Sequence, residues 1–94
     1  MTATAPDVAP APPRADRLPP FAVVLHNDDV NDMVFVVRSV AQIARLPMER
    51  AFECMMEAHE EGQAVVLHTH REHAELLCET FQSKGLVASI ERAS

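Results

Sequence analysis

The chain has 94 residues and a formal net charge of −6, and it contains neither Trp nor Tyr. One domain of this size excludes a large enzyme with an enclosed cofactor site. The acidic balance and the lack of any Lys/Arg run argue against binding to nucleic acid or to an anionic membrane surface. No apolar run reaches the roughly 18–20 residues of a spanning helix, and no secretion signal is recognisable, so a cytoplasmic protein is expected.

Residues 1–20 differ in composition from the rest of the chain. Six of the seven prolines lie in this stretch, among many alanines. Such a segment cannot bury enough apolar surface to offset its ordering entropy. The sequence therefore predicts a disordered N-terminal extension over 1–20 and one folded core domain over 21–94.

The first half of the core predicts a strand and two helices. Residues 21–26 are rich in β-branched side chains and run into an Asn-Asp-Asp turn, which indicates a strand. Apolar spacing predicts a helix over 33–45, with Asn31 as its N-cap. Pro47 is expected in the first turn of a second helix, and Gly62 is expected to end it in a left-handed conformation. The expected apolar positions are 33, 36, 37, 40 and 44 in the first helix, and Met48, Ala51, Phe52, Met55 and Met56 in the second.

The second half predicts a strand over 63–68, a third helix and a third strand over 86–91. Thr69 and Glu72 fit a capping box at the start of the third helix, and Gly85 is expected to end it. The order is β-α-α-β-α-β. We therefore expect an α+β domain in which a three-stranded sheet is covered on one face by three helices.

No catalytic motif is recognisable in the chain. Two glycines are too few for a phosphate-binding loop, and no Ser or Cys nucleophile stands in a motif with a His and an orienting acid. Cys54 and Cys78 fall on predicted helices, where free buried thiols are expected rather than a disulfide. The sequence predicts a protein that is not an enzyme and needs no cofactor.

The turn over 26–29 concentrates polar groups, and it has two possible roles. Asn27 and Asp28 suit turn formation and helix capping, which alone would account for them. His59 lies near the end of the second helix, beside the apolar side chain of Met55. Together these groups offer acceptors next to an apolar pocket, an arrangement suited to a cationic group attached to a hydrophobic one.

A metal site is a further alternative. His68, His70 and His73 are close enough in sequence to supply three imidazole ligands to zinc. A carboxylate or Cys to act as fourth ligand is missing, and Thr69 is assigned to the capping box. The pattern therefore does not favour a functional metal site.

Three segments together resemble the ClpS family of N-degron adaptors. They are Leu25-His-Asn-Asp-Asp29, Met33-Val-Phe-Val-Val37, and Met55-Met-Glu-Ala-His59 followed by Gly62. The family pattern is a strand ending in Asn-Asp-Asp, a Met-x-Phe-Val helix start and a Met-x-x-x-His-x-x-Gly helix end. The resemblance extends over about residues 20–93.

The resemblance implies a monomeric adaptor that binds substrates with a bulky hydrophobic N-terminal residue and delivers them to a ClpA-type unfoldase. Asn27, Asp28 and His59 would hold the free α-amino group, and Glu72 would contact the unfoldase. Residues 1–20 would be the flexible extension that delivery requires. The residues implied for the side-chain pocket are Leu25, Asn31, Met33, Val36, Met55, Ala58 and Leu86.

Three positions depart from the family pattern. Asn31-Asp32 replaces Thr-Pro, Ala58 replaces a Val-sized residue, and Leu77 stands where a Lys is frequent. Leu, Phe, Tyr and Trp are the implied first residues, and the smaller Ala58 side chain is expected to relax the penalty on Ile and Val. The alternative from another class is a small protein-interaction module with no N-terminal specificity.

Overall fold

The computed structural model describes residues 20–93. The predicted disorder of residues 1–20 therefore falls outside the described residues, except for Pro20. Within this range the predicted element order and the α+β class are confirmed. The elements are β1 (Phe21–His26), α1 (Met33–Ala44), α2 (Met48–Glu61), β2 (Gln63–Thr69), α3 (Arg71–Ser83) and β3 (Ala88–Arg92).

The sheet has the strand order β2-β1-β3, and both pairings are antiparallel. The central strand β1 has its four inner residues buried, as expected for a strand with neighbours on both sides. Its pairing with β2 shifts register between Val23 and Val24, so β2 carries a bulge there. Because β1 is held on both edges, the loop that follows His26 starts from a fixed point.

One continuous core joins the helices to the sheet. Val23 and Leu25 of β1 pack with Val40 of α1, Ala51 of α2 and Phe81 of α3. All five are at most 1% exposed. Close packing of this kind makes the three helices a rigid support for the loops between them.

Two predicted helix caps are wrong. Asp32, not Asn31, caps α1, and its carboxylate accepts a hydrogen bond from the Phe35 N–H at 3.4 Å. At α3 the N-cap is His70, so the capping box from Thr69 to Glu72 does not form. The Thr69 hydroxyl instead lies 2.9 Å from Nδ1 of His73. At α1 the neighbouring residue has the same capping chemistry, whereas at α3 the side chain of the N-cap residue makes no capping hydrogen bond.

The helix ends agree more closely with the sequence. Gly62 ends α2 with φ 97°, and its N–H donates to the Ala58 carbonyl. Gly85 has φ 86° and lies in a Schellman motif, in which Leu86 N–H donates to the Phe81 carbonyl. Pro47 is the N-cap of α2 rather than part of its first turn, and its backbone is extended.

Three of the apolar positions that define the first two predicted helices are exposed. Met33 is 47% exposed, Met48 is 53% exposed and Phe52 is 52% exposed. Cys54 and Ala58 take inward positions on α2 instead. The apolar stripe of α2 is therefore wider than its buried face, and part of it remains on the surface.

The two cysteines are free and buried, as predicted. Among residues 20–93, no three His, Cys, Asp or Glu side chains are close enough together to hold a metal ion. His68, His70 and His73 therefore do not form the zinc site considered from the sequence. No helix in the described part of the chain is long and apolar enough to cross a membrane.

Candidate functional site

Three connections of the chain meet at one end of the sheet. The loop over 27–32, called here the site loop, follows β1. Its Asn27 N–H donates to the Gly62 carbonyl at 2.9 Å, which ties it to the end of α2. The Asn31 amide donates to the Gly85 carbonyl at 2.9 Å, which ties it to the link between α3 and β3. The site loop is therefore fixed by contacts distant in sequence.

The carboxylate of Asp28 organises the site loop. One oxygen, Oδ1, accepts from the N–H groups of Val30 at 2.8 Å and Asn31 at 3.0 Å. The other oxygen, Oδ2, accepts from the Asn31 side-chain amide at 2.6 Å. These hydrogen bonds, chiefly the one from the Asn31 side chain, hold the pKa of Asp28 below its ordinary value. Asp28 is therefore a fixed anion with an acceptor site still free on Oδ2.

Asn27 and His59 lie beside this carboxylate. The Asn27 amide nitrogen points to an Asp29 carboxylate oxygen at 3.5 Å, which leaves its amide oxygen to face elsewhere as an acceptor. His59 is exposed on the last turn of α2. Asn27, Asp28 and His59, called here the amine site, all border one pocket. An anionic oxygen, an amide oxygen and an imidazole nitrogen can all accept from an ammonium group.

The walls of this pocket are apolar. Leu25 and Val36 form its buried side, and Met33, Met55 and Ala58 complete it. The charged and amide side chains therefore lie at the opening of a hydrophobic pocket. A ligand with an ammonium group directly attached to a carbon that bears an apolar side chain satisfies both halves of this arrangement.

The pocket is narrow in this conformation. Its free volume is about 30 Å³, which is room for about one or two water molecules. A leucine side chain is larger, so a wall residue must move to admit one. Met33 is the most exposed member of the apolar wall, and an unbranched thioether chain changes rotamer readily.

Nine of the ten residues assigned from the sequence to the amine and its pocket come together here. Leu86 is the exception, because it does not line the pocket. His26 lines the pocket but was not among the assigned residues. Its Nε2 is hydrogen bonded to the Ser89 hydroxyl at 2.7 Å. The signal that points to it is its position as the last strand residue before the site loop.

Glu72 lies elsewhere, in the first turn of α3, and it is exposed. Leu77, the position where the family pattern has Lys, is 5% exposed and belongs to the core. Leu76 next to it is 60% exposed. The face of α3 that carries Glu72 therefore presents Leu76, one turn further along, rather than a lysine.

Comparison with known proteins assigns this chain to a family. The family model described as ATP-dependent Clp protease adaptor protein ClpS matches residues 16–89. The ATP-dependent Clp protease adapter protein ClpS of Synechococcus sp. (strain CC9902) is 43% identical over 76 residues, which are 80% of this chain and 73% of that protein. The chloroplastic adapter protein CLPS1 of Chlamydomonas reinhardtii is 36% identical over 80 residues, covering 83% and 49% of the two chains.

A solved structure shares the fold. It is that of Agrobacterium tumefaciens ClpS2 bound to L-phenylalaninamide, with a TM-score of 0.68 and 27% sequence identity. The similarity covers 79% of this chain and 98% of that one.

Proposed function

We propose, from the premise that this chain belongs to the ClpS family of ATP-dependent Clp protease adaptor proteins, that it binds the free N-terminus of substrate proteins. The amine site would hold the α-amino group, and the pocket would take the first side chain: Leu, Phe, Tyr or Trp. The observation that carries the proposal is the placement of three acceptors at the mouth of one apolar pocket. The Agrobacterium relative binds phenylalaninamide, which combines an amino group with a bulky apolar side chain.

The energetics are sufficient for useful affinity. Burying a Leu or Phe side chain contributes about 1.5–3 kcal/mol. Each hydrogen bond to the charged amine contributes about 1.5–3 kcal/mol. Association costs on the order of 4–15 kcal/mol in lost freedom. At the favourable end of these ranges the surplus is about 8 kcal/mol, which corresponds to micromolar binding.

Delivery is the second half of the proposed function. The adaptor would carry its substrate to a ClpA-type unfoldase in the cytoplasm, acting as a monomer. Glu72 and the exposed Leu76 form the proposed docking face on α3. Glu72→Lys is expected to abolish substrate degradation by the unfoldase and protease while leaving peptide affinity within twofold. Equal degradation rates with the parent protein and with Glu72→Lys would show that this face does not dock on the unfoldase.

The direct test of recognition compares peptides that differ only at the first residue. Leu-, Phe-, Tyr- and Trp-initiated peptides should bind, and Gly- and Asp-initiated ones should not. Acetylating the Leu peptide removes the charge and two of the three N–H donors, so it should abolish binding. Fluorescence anisotropy measures both series. Equal affinity across all first residues would favour the alternative, an interaction module without N-terminal specificity.

Two variants separate the amine site from general electrostatics. Asp28→Asn keeps a turn-forming oxygen but removes the charge, and we expect affinity to fall by at least tenfold. Asp32→Asn removes the same charge one turn away, and Asn also caps a helix well. Asp32 is exposed and does not line the pocket, so this control should bind like the parent protein. If both variants lose the same affinity, the effect is one of net charge.

A further inference from the structure

A second, larger cavity lies directly beside the proposed side-chain pocket. It is an open groove of about 350 Å³ between α1 and α2, and all its lining residues are apolar. Val34 is 60% exposed, Met48 is 53% exposed and Phe52 is 52% exposed. Apolar surface gathered in one place on a soluble domain is typical of a binding surface. The residues of this apolar groove are Met33, Val34, Val37, Met48, Phe52 and Met55.

The apolar groove is continuous with the pocket. Met33 and Met55 line both cavities, so their side chains form the wall between them. On α2 the row that begins at His59 continues through Met55 and Phe52 to Met48. Steps of four, three and four residues keep this row on one side of the helix. At 1.5 Å per residue the row is about 16 Å long, so it extends well beyond the first residue of a bound peptide.

We propose that the apolar groove binds the side chain of the third residue of the substrate, so that the adaptor prefers an apolar residue there. The inference rests on the proposed function, which places the α-amino group at His59. An extended peptide rises about 3.3 Å per residue, and alternate side chains point the same way. The third side chain therefore shares the direction of the first and lies about 7 Å further along. A point about 7 Å from His59 along the axis of α2 lies between Met55 and Phe52.

The charge beside the groove argues against a second copy of this chain as its occupant. Helix α2 carries five glutamates and one arginine, which gives −5 + 1 = −4 with His59 neutral. All five glutamates are exposed, and Glu49, Glu53, Glu57 and Glu60 make up the acidic face of this helix, which forms one wall of the groove. A symmetric dimer through the groove would bring two such helices together, and like charges disfavour that contact. A substrate N-terminus brings a positive charge instead.

The test uses three peptides with a common remainder, beginning Leu-Ala-Ala, Leu-Ala-Leu and Leu-Leu-Ala. We expect Leu-Ala-Leu to bind about three- to tenfold more tightly than Leu-Ala-Ala. The affinity of Leu-Leu-Ala should stay within twofold of that of Leu-Ala-Ala. In Phe52→Ala the ratio of the affinity for Leu-Ala-Leu to the affinity for Leu-Ala-Ala should fall below two. Phe35→Ala is the matched control, because Phe35 is also a partly exposed helical Phe but does not line the groove. Its ratio should equal that of the parent protein.

Several results would overturn the inference. One is an affinity ratio between Leu-Ala-Leu and Leu-Ala-Ala that is unchanged in Phe52→Ala. Another is a gain in affinity for Leu-Leu-Ala as large as that for Leu-Ala-Leu. A third is sedimentation equilibrium showing self-association that Phe52→Ala removes while the peptide ratio stays unchanged, since the groove would then bind a second copy. If Leu-Ala-Ala bound no better than Gly-Ala-Ala, the proposed function and this inference would both fail. A preference for Leu first with no preference at the third position would contradict the inference alone.

Discussion

Asp28 illustrates how one side chain serves both the fold and the site. Its Oδ1 is committed to two N–H groups of the site loop, and its Oδ2 to the Asn31 amide. Since these bonds lower the pKa of Asp28, the stabilisation is fully present above the ordinary value of 3.8 and is lost only as the pH falls through the lowered one. Asp28 therefore stays ionised at any pH above 5, and a pH effect on binding in that range must come from another group.

His59 is the group expected to produce that effect. To accept a hydrogen bond from the substrate ammonium, its imidazole must be neutral, because a protonated imidazole can only donate. Peptide affinity measured by anisotropy should therefore fall several-fold between pH 7 and pH 5.5, a range in which the peptide α-amino group stays protonated. His59→Gln keeps an acceptor that does not titrate, so its affinity should be nearly flat over the same range. Binding that strengthens on acidification would contradict the acceptor role of His59.

Ala58 is the residue expected to set the shape preference of the pocket. It is 3% exposed and lines the pocket wall beside Met55. Adding two methyl groups in Ala58→Val fills space close to the bound side chain, and such changes alter discrimination by about 1–3 kcal/mol. We expect Ile- and Val-initiated peptides to lose more affinity than Leu-initiated ones. Unchanged ratios among these peptides would show that residue 58 does not contact the ligand.

At the scale of elements, the junction of α2 and β2 supports both sides of the site. Gly62 adopts φ 97°, its N–H closes α2 three residues after His59, and its carbonyl accepts from Asn27. A Cβ at this position would meet no atom within 4 Å. The cost of a side chain there is therefore conformational and not steric.

Gly62→Ala should lower the free energy of unfolding by about 1–2 kcal/mol, the usual cost of a left-handed conformation for an L-residue. Gly62→Asn should cost less, because Asn adopts this conformation more readily. Thermal or urea unfolding measures both. Equal stability of the Ala variant and the parent would show that the junction relaxes to another conformation.

The same scale shows what local sequence can and cannot predict. Apolar periodicity predicted the three helices and β3, and apolar runs rich in β-branched residues predicted β1 and β2. Neither pattern distinguished Asn31 from Asp32 as the cap of α1, since both residue types cap helices well. The Asn31 side chain instead donates to the Asp28 carboxylate and to the Gly85 carbonyl, 54 residues away. Similarly, apolar spacing could not show that Met48 and Phe52 face outward, because a groove and a core have the same pattern.

At the scale of the molecule, most of the candidate site was assigned through family motifs and not through chemistry alone. An Asn-Asp-Asp turn has an adequate structural explanation by itself. Only the spacing in sequence between this turn and the helix that carries His59, which matches the family pattern, indicated a shared pocket. Leu86 shows the limit of that method, because a position carried over by alignment does not line the pocket here. His26 shows the opposite limit, since a residue that lines the pocket was not among those assigned.

The net charge of −6 leads to a prediction about substrates as whole chains. Helix α2 has a net charge of −4 and forms one wall of the groove along which a substrate would leave the pocket. Basic residues after the first few positions should therefore favour binding, and acidic ones should oppose it. Two Leu-initiated peptides with three Lys or three Asp from the fourth position onward test this. At 20 mM salt the basic peptide should bind at least fivefold more tightly. The difference should shrink steadily towards 1 M salt, where the Debye length falls to about 3 Å.

The matched variant is Glu57→Gln combined with Glu60→Gln, two exposed residues that line neither the pocket nor the groove. Removing these charges should reduce the preference for the basic peptide at low salt. Affinity for a Leu peptide with an uncharged remainder should change little. Arg50, which lies 3.5 Å from Glu53, already neutralises part of the acidic face, so those two residues are left unchanged. If the preference for the basic peptide changed neither with salt nor with the two substitutions, the charges of α2 would not be its cause.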